Sequence, residues 1–184
     1  MSQDRQSRRH FSRRVTAALA LGVLATARGA VAQAGAGSEL SQSAESIHQE
    51  ILIEASPALV YQVLTDPARF SAMTTFSMVP KAPPATIAPT VGGAFSLFGG
   101  HIEGRHVELV PGVRVVQAWR SADWPAGLYS IVRFELQPRD GKTLIVFDHT
   151  GFPAGQGQHL AEGWHANYWT PMRKYLASAG APRQ

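Results

Sequence analysis

Residues 142–179, KTLIVFDHTGFPAGQGQHLAEGWHANYWTPMRKYLASA, place a strand pattern directly before a helix pattern, and this order decides the fold class. Apolar and polar side chains alternate up to Thr150, which indicates a strand with one buried face. A turn rich in glycine and proline follows at residues 151–155. Between Gln158 and Ala179, apolar and aromatic side chains recur at helical spacing, which predicts one long helix packed against a sheet.

Turn residues divide the preceding segment, residues 85–150, into six or so short strands. The turn pairs are Gly92-Gly93, Gly99-Gly100, Pro111-Gly112, Pro125-Ala126-Gly127 and Asp140-Gly141. Asp140-Gly141 is the strongest hairpin signal among them, because aspartate and glycine suit the tight turns that join antiparallel strands.

The start of the predicted domain adds one strand and two short helices. Residues 47–54 alternate as a strand, and Ser56-Pro57 provides an N-cap followed by proline at the first helical position. Asp66-Pro67 restarts a second short helix. The order strand, two helices, antiparallel strands and long helix predicts an α+β helix-grip fold, in which a curved sheet wraps around the C-terminal helix and leaves a cavity between them.

The first 34 residues predict an export signal. Five arginines and a single acidic residue precede an uncharged apolar run from Val15 to Ala27, and small residues offer cleavage after Ala32 or Ala34. The apolar run is shorter than the roughly 20 residues that cross a membrane. The charged residues lie at one end of this run, whereas an amphipathic surface helix carries its charges along one face. We therefore expect no integral membrane segment in the mature protein.

The arginines of this signal follow a known export pattern. Residues 7–13, SRRHFSR, resemble the twin-arginine motif at Ser7, Arg8, Arg9, Phe11 and Arg13. Ser12 stands where leucine is usual. The resemblance implies that the twin-arginine translocation machinery exports the folded protein, which predicts a periplasmic or secreted location.

The charge balance excludes a nucleic-acid partner. The full chain has 17 Lys and Arg against 13 Asp and Glu. Six of the basic residues and one acidic residue lie in the first 34 positions, which leaves 11 against 12 in the rest. No basic surplus remains for a phosphate backbone. The chain has no cysteine, which excludes disulfides, thiolate metal sites and cysteine nucleophiles.

The predicted organisation is a signal at 1–34, a polar lead-in at 35–46, one domain at 47–180 and a short tail at 181–184. Within the domain, several strings recur together in one family. They are Ala55-Ser56-Pro57, Leu64-Thr65-Asp66-Pro67, residues 92–100 (GGAFSLFGG), Trp119-Arg120, Trp124-Pro125, residues 149–153 (HTGFP) and Glu162-Gly163-Trp164. On these residues the chain resembles the C-terminal domain of the heat-shock protein 90 ATPase activators, a branch of the START-like (SRPBCC) superfamily. The resemblance covers nearly all of residues 47–179.

This resemblance implies the helix-grip fold but does not fix a function. Members of the superfamily bind lipids, sterols, polyketides or plant hormones in the cavity, and some are cyclases or other enzymes. In the eukaryotic activators a separate N-terminal domain supplies much of the chaperone binding, whereas this chain has a predicted signal peptide there. An exported protein would not meet the cytosolic chaperone or its ATP, which weakens the expectation of a co-chaperone role.

The last strand supplies two candidate binding residues. Alternation places Thr143, Ile145, Phe147 and His149 on one face, which the resemblance implies is the cavity face, and Asp148 on the other. His149 would then contact a polar ligand group near the cavity mouth, or it would hydrogen-bond a neighbouring loop carbonyl. Because Asp148 points away, the two adjacent residues do not form an Asp-His dyad.

Five other residues complete the cavity candidates: Gln117, Trp119, Ser130, Trp164 and Tyr168. Gln117 and Trp119 share the inner face of their strand, and a buried amide at Gln117 would orient a ligand or bond a buried water. Ser130 begins the matching face of the next strand. Trp164 and Tyr168 would line the cavity or only fill the core.

A proline interrupts the predicted final helix. Pro171 frees the carbonyl of Asn167, which predicts a kink that would reshape the cavity. Alternatively, the proline is tolerated because it lies near an exposed helix end.

Histidines are numerous after residue 34, but their spacing does not favour a metal site. His101 and His106 are predicted on opposite faces of one strand, and His159 and His165 diverge around the final helix. We expect neither a metal nor a cofactor.

One pair of titratable residues is predicted on a common strand face. His106 and Glu108 are two positions apart. They would form an acid–base pair, or with Arg105 and Arg120 they would form a solvated charge ladder.

Three functional hypotheses follow. The first is an exported protein that binds a small, mostly apolar or amphipathic ligand in the cavity. The second is a protein-interaction module that docks a partner through the loop at residues 124–127. The third is a small-molecule enzyme of cyclase or hydrolase type with His149 as general base, although no catalytic set is identified.

Overall fold

The computed structural model describes residues 45–180. The predicted signal with its twin-arginine motif, residues 35–44 of the lead-in and the tail at 181–184 lie outside the described residues. Within the described range, no helix combines the length and apolarity needed to cross a membrane.

Between residues 45 and 180, seven antiparallel strands form one curved sheet. They are β1 (Glu45–Ile53), β2 (Thr86–Ile87), β3 (Ala94–Leu97), β4 (Ile102–Val110), β5 (Arg114–Ser121), β6 (Ser130–Arg139) and β7 (Lys142–Phe152). Their order across the sheet is β1-β7-β6-β5-β4-β3-β2. Only β1 is paired out of sequence, beside β7, and every other strand pairs with its neighbour along the chain. The predicted series of short antiparallel strands is confirmed.

Two capped helices follow β1, as predicted. Helix α1 (Pro57–Thr65) begins with Ser56, whose hydroxyl accepts the N–H of Leu59 at 3.4 Å. Helix α2 (Pro67–Thr74) begins with Asp66, whose carboxylate accepts the N–H of Arg69 at 2.8 Å. Each cap satisfies a backbone N–H that the first helical turn leaves free.

The hairpin between β6 and β7 turns at Asp140-Gly141, as the sequence predicts. Asp140 has φ 48° and Gly141 has φ 79°. Two consecutive positive φ values are the conformation of the tight turns that match strand twist, and aspartate and glycine adopt them readily.

The predicted lead-in ends earlier than expected, because β1 begins at Glu45 rather than at Ile47. The Glu45 carboxylate accepts the backbone N–H of Gly155 at 2.7 Å and of Gly157 at 2.8 Å. This side chain therefore ties the first strand to the start of the C-terminal helix, and residues 45 and 46 belong to the domain.

The C-terminal helical segment has three parts: α3 (Gly157–Trp164), a π-helical turn (His165–Trp169) and α4 (Thr170–Gly180). In the π-helical turn the Thr170 N–H bonds the His165 carbonyl, five residues back. Pro171 is buried and is the second residue of α4, after Thr170. The sequence predicted a disturbance here, and the structure accommodates the proline with a wider turn that continues into α4.

The core lies between the inner face of the sheet and the helices. In β7, Thr143, Ile145, Phe147 and His149 are buried and Asp148 lies on the outer face, so the predicted alternation is confirmed. On the outer face the Asp148 carboxylate bonds His48 at 2.7 Å.

A β-bulge separates His106 from Glu108. His106 pairs with Gln117 on the inner face, whereas Glu108 pairs with Val116 on the outer face. The prediction that the two share a strand face is wrong, because the bulge adds one residue and reverses the alternation. Glu108 instead bonds Arg114 at 2.8 and 3.0 Å.

Candidate functional site

A cavity of about 350 Å³ lies between the middle of the sheet and the C-terminal helical segment. Its lining residues come from four parts of the chain. The first is the loop residue Val79, and the second is the segment that leads into β4, with Phe98, His101 and Ile102. The third is the end of β5 and the following turn, with Trp119, Ser121, Asp123 and Trp124, and the fourth is the helical side, with Gln156, His159, Leu160, Gly163, Trp164, Asn167 and Tyr168. A volume of this size is in the range of small-ligand sites.

Aromatic rings form most of the apolar lining, which we call the aromatic wall: Phe98, Trp119, Trp124, Trp164 and Tyr168. Trp119 contacts Trp124 edge-on, with 5.4 Å between ring centroids, and lies 5.7 Å from Trp164. Tyr168 lies 4.2 Å from Trp164 and 5.7 Å from Phe98. The rings support one another, so the wall is held in place before any ligand enters.

The polar lining is concentrated at one end, which we call the polar end: His101, Ser121, Asp123 and His159. The Nε2 atom of His101 lies 3.5 Å from the hydroxyl of buried Ser121. The pKa of the Asp123 carboxyl is lowered, first by a hydrogen bond with Ser121, and the nearby imidazoles of His101 and His159 contribute in the same direction. Asp123 therefore presents a carboxylate at neutral pH.

One stripe of the helical side faces the cavity: Gln156, Leu160, Gly163 and Asn167. Gly163 adds no side chain, and no atom of the described residues lies within 4 Å of the point where a Cβ would stand. The Asn167 amide donates to the Gly163 carbonyl at 3.2 Å and accepts the N–H of Met78 at 3.3 Å. Asn167 thus fastens the loop after α2 to the helix beside the cavity.

Two polar atoms of the aromatic wall are unpaired within the described part of the chain: Nε1 of Trp119 and the hydroxyl of Tyr168. Both atoms are closed off from solvent. Burial raises the pKa of Tyr168, and the neighbouring Trp119 indole offsets part of that rise. The phenol is therefore neutral at physiological pH and is not a general base.

The structure brings three of the seven candidate residues to the cavity: Trp119, Trp164 and Tyr168. The other four, Gln117, Ser130, Phe147 and His149, are buried on the inner face of the sheet and do not line it. The expectation that these four line the cavity is corrected: Trp164 packs against Phe147 and His149, Ser130 is bonded to His149, and Gln117 pairs with His106. Whether any of the seven contacts a ligand stays a prediction.

His149 is held in the core by a chain of hydrogen bonds. Trp164 Nε1 donates to its Nδ1 at 3.1 Å, and its Nε2 lies 2.7 Å from the Ser130 hydroxyl. That hydroxyl donates to the Trp119 carbonyl at 2.9 Å. An indole N–H only donates, so Nδ1 must be the acceptor and Nε2 must carry the proton, which it donates to Ser130. Each donor in this series of hydrogen bonds, Trp164, His149 and Ser130, therefore has one acceptor.

This arrangement removes His149 from acid–base chemistry. Burial lowers the pKa of His149 to about 3. A second proton would have to sit on Nδ1, where it would face the N–H of Trp164. The ring is fully buried and both nitrogens are occupied, so the hypothesis that His149 is a general base has no support in this geometry.

Gln117 lies deeper in the sheet, opposite His106. His106 is 1% exposed, and within residues 45–180 neither of its ring nitrogens has a hydrogen-bond partner. Burial lowers the pKa of His106, so the ring is neutral. These two residues form a polar spot inside the core rather than part of the cavity lining.

Most residues of the polar end were not predicted from the sequence as cavity residues. Ser121 continues the alternation of Gln117 and Trp119 along β5, so extending that pattern by one step would have found it. Gly163 and Asn167 lie at helical spacing from Leu160, so the sequence alone would have placed them on the same helix face. Asp123 lies in an irregular turn, where no periodicity places a side chain.

Two other expectations about these residues change. Trp124, predicted to belong to an exposed docking loop, is buried against Trp119, and only residues 125–127 of that loop are exposed. His101 and His159, considered only as metal ligands, both lie at the polar end. Within residues 45–180, no group of three or more His, Asp or Glu side chains is arranged to hold a metal ion.

A curved antiparallel sheet around a C-terminal helix, with a cavity between them, defines a helix-grip protein of the START-like class. The family model described as "Activator of Hsp90 ATPase homolog 1-like protein" matches residues 54–177. The chain belongs to this family.

The similar proteins include eukaryotic activators and a solved parasite structure. The chain is 27% identical over 119 residues to the Activator of 90 kDa heat shock protein ATPase homolog 1 of Homo sapiens, covering 65% of this chain and 33% of that protein. It is 40% identical over 78 residues to the Dictyostelium discoideum homolog, covering 41% of this chain and 20% of the other. The chain thus spans a third or less of these two relatives.

The fold similarity extends to whole solved chains. The crystal structure of an HSP90 activator from Plasmodium falciparum has a TM-score of 0.63 and 23% identity, covering 76% of this chain and 99% of that chain. A Mesorhizobium loti protein has a TM-score of 0.60 and 19% identity, covering 74% and 100%. At these identities the similarity shows the fold alone.

Proposed function

We propose that this protein binds a small, mostly apolar molecule in the cavity between the sheet and the C-terminal helical segment. The observation that carries the proposal is the combination of a rigid aromatic wall with a polar end in a cavity of about 350 Å³. Apolar walls supply the affinity through burial of ligand surface, and a few polar groups orient the ligand.

Gly163 supports this proposal because it keeps the cavity open. Glycine in a helix is less favourable than alanine by about 1 kcal/mol. At Gly163 the neighbouring residues do not demand a glycine, since a Cβ would meet no atom of the described chain within 4 Å. A small residue at this place leaves room for a ligand at a cost in helix stability.

The test fills the cavity from Gly163. We expect Gly163→Leu to lower the affinity for the neutral fluorescent probe N-phenylnaphthylamine at least tenfold, because the added side chain occupies the space of the probe. Probe fluorescence in a titration measures the affinity. The midpoint temperature of thermal unfolding should be the same in the variant as in the wild type or higher, since leucine favours the helix more than glycine does.

Ala177→Leu is the matched control, since it makes a similar small-to-large change at an exposed position of α4. It should bind the probe as the wild type does. If Gly163→Leu also binds the probe unchanged, the cavity is not the binding site and the proposal fails.

A second candidate function is docking of a protein partner, which the names of the eukaryotic relatives suggest. The observation that favours it is an exposed apolar loop beside the cavity, with Phe76 39%, Met78 77% and Val79 46% exposed. If this candidate is right, Gly163→Leu should leave capture of the protein partner intact and Met78→Ser should lower it. If the first candidate is right, Gly163→Leu should lower the affinity for N-phenylnaphthylamine and Met78→Ser should leave it unchanged.

We also propose that the protein acts outside the cytoplasm, after export by the twin-arginine route. The support is the arginine motif at residues 7–13 followed by an apolar run and small residues. Replacing Arg8 and Arg9 together by lysine should leave the protein in the cytoplasmic fraction with its signal uncleaved. Normal export of that double variant would contradict the route.

A further inference from the structure

The charge of the cavity lining points to the kind of ligand. Asp123 is the only Asp, Glu, Lys or Arg side chain among the described lining residues. The remaining polar groups of the described lining are two neutral amides, the hydroxyls of Ser121 and Tyr168, indole N–H groups and two imidazoles. Leaving the histidines aside, the single formal charge of this lining is therefore negative.

Asp123 is an exposed residue whose carboxylate lines the polar end of the cavity. Its pKa is lowered first by the hydrogen bond from Ser121, a side chain that is only 5% exposed. Ser121 is fixed at the end of β5 and lies 3.5 Å from His101. The carboxylate is thus ionised beside the aromatic wall, on a residue that follows the end of β5.

The aromatic wall suits a cation as well as an apolar body. Trp124 follows Asp123 in the chain, is 6% exposed, and contacts Trp119 at 5.4 Å. Indole and phenol rings attract cations through their negative faces, most strongly where water is excluded. A carboxylate beside several such rings favours a positive group, and the described lining offers no lysine or arginine to attract an anionic one.

We propose that the ligand is an amphipathic monocation, an amine or quaternary ammonium with an apolar body. Its positive group lies at Asp123, and its apolar body lies along the aromatic wall toward Gly163. This inference rests on the proposed ligand-binding function and adds the charge class of the ligand.

The experiment compares two probes of the same shape. Benzyltrimethylammonium carries a positive nitrogen where neopentylbenzene has a neutral carbon. Displacement of bound N-phenylnaphthylamine measures the affinity of each probe for the full mature domain. We expect the wild type to bind the cation at least tenfold more tightly than the hydrocarbon, because the carboxylate and the rings act together.

Asp123→Asn keeps the shape of the side chain and removes its charge. It should lower the affinity for benzyltrimethylammonium about tenfold and leave that for neopentylbenzene unchanged. Asp140→Asn is the control, since it removes the same charge at the distant β6–β7 turn, where asparagine also accepts positive φ. Neither affinity should change in this control.

The outcomes separate the two proposals. If the hydrocarbon binds as tightly as the cation, or if Asp123→Asn binds the cation like the wild type, the charge assignment is overturned while the cavity remains a binding site. If N-phenylnaphthylamine binds but neither probe displaces it, the charge assignment fails while the cavity remains a binding site. If N-phenylnaphthylamine does not bind the wild type at all, the proposed function fails and the charge assignment fails with it.

Discussion

His149 illustrates how a buried histidine becomes part of the core. It accepts from Trp164 and donates to Ser130, which donates in turn to the backbone of Trp119. These hydrogen bonds join β5, β6, β7 and α3 through the His149 ring, which is fully buried. Because each partner would be left with an unpaired buried group if the ring were removed, this network stabilises the fold.

The network predicts a loss of stability in acid. His149 has a pKa of about 3 in the folded protein against an ordinary value of 6.5. The unfolded chain therefore binds more protons between these two values, and the free energy of unfolding falls as the pH drops from 6.5 toward 3. At pH 5 the contribution amounts to a loss on the order of 2 kcal/mol relative to pH 8. Denaturant unfolding over this range measures it.

His149→Gln isolates this effect, because glutamine can accept from Trp164 and donate to Ser130 but does not titrate here. The variant should show a shallower fall in stability between pH 6.5 and 5. His106 also has a lowered pKa and adds to the slope in both proteins. An unchanged slope in His149→Gln would rule out the network as its source.

At the residue scale, sequence periodicity predicted burial better than it predicted the lining of the cavity. The alternation of β7 correctly placed His149 inward. It could not reveal that Trp164, 15 residues further along the chain, covers the histidine. Which inward residues reach a cavity depends on such long-range contacts, and local spacing carries no information about them.

At the scale of single elements, irregularities explain where the predictions failed. The bulge in β4 moved Glu108 to the outer face, and no residue type in the strand signals a bulge at Val107. In contrast, the caps at Ser56 and Asp66 depend on neighbouring residues only, and both were correctly predicted. Local chemistry therefore defined the ends of helices, whereas strand register required the partner strand.

The C-terminal helical segment combines two irregular features beside the cavity. Its π-helical turn at His165–Trp169 places both Tyr168 and Trp169 in buried positions, and Gly163 leaves the preceding turn without a side chain. Pro171 was recognised as a disturbance, but its outcome as a wider turn depends on how the aromatic side chains pack. Such turns are frequent at functional sites, which agrees with the position of this one next to the cavity.

At the scale of the whole molecule, turn chemistry and hydrophobic periodicity were sufficient to predict the fold. Six strands after α2, two capped helices and the C-terminal helical segment all appear in the predicted order. The family relationship agrees with this architecture. The chemical function does not follow from the fold, because the polar end of the cavity is built from residues in turns and at strand ends.

The most direct test of the central claim is native mass spectrometry of the wild-type protein, recovered from the cells that produce it, beside Gly163→Leu. We predict a reproducible additional mass on the wild type, from a molecule small enough for a cavity of about 350 Å³, that solvent extraction removes. Gly163→Leu should carry little of it. A bare wild-type mass, together with no binding of N-phenylnaphthylamine, would contradict the claim that this protein acts by holding a ligand in its cavity.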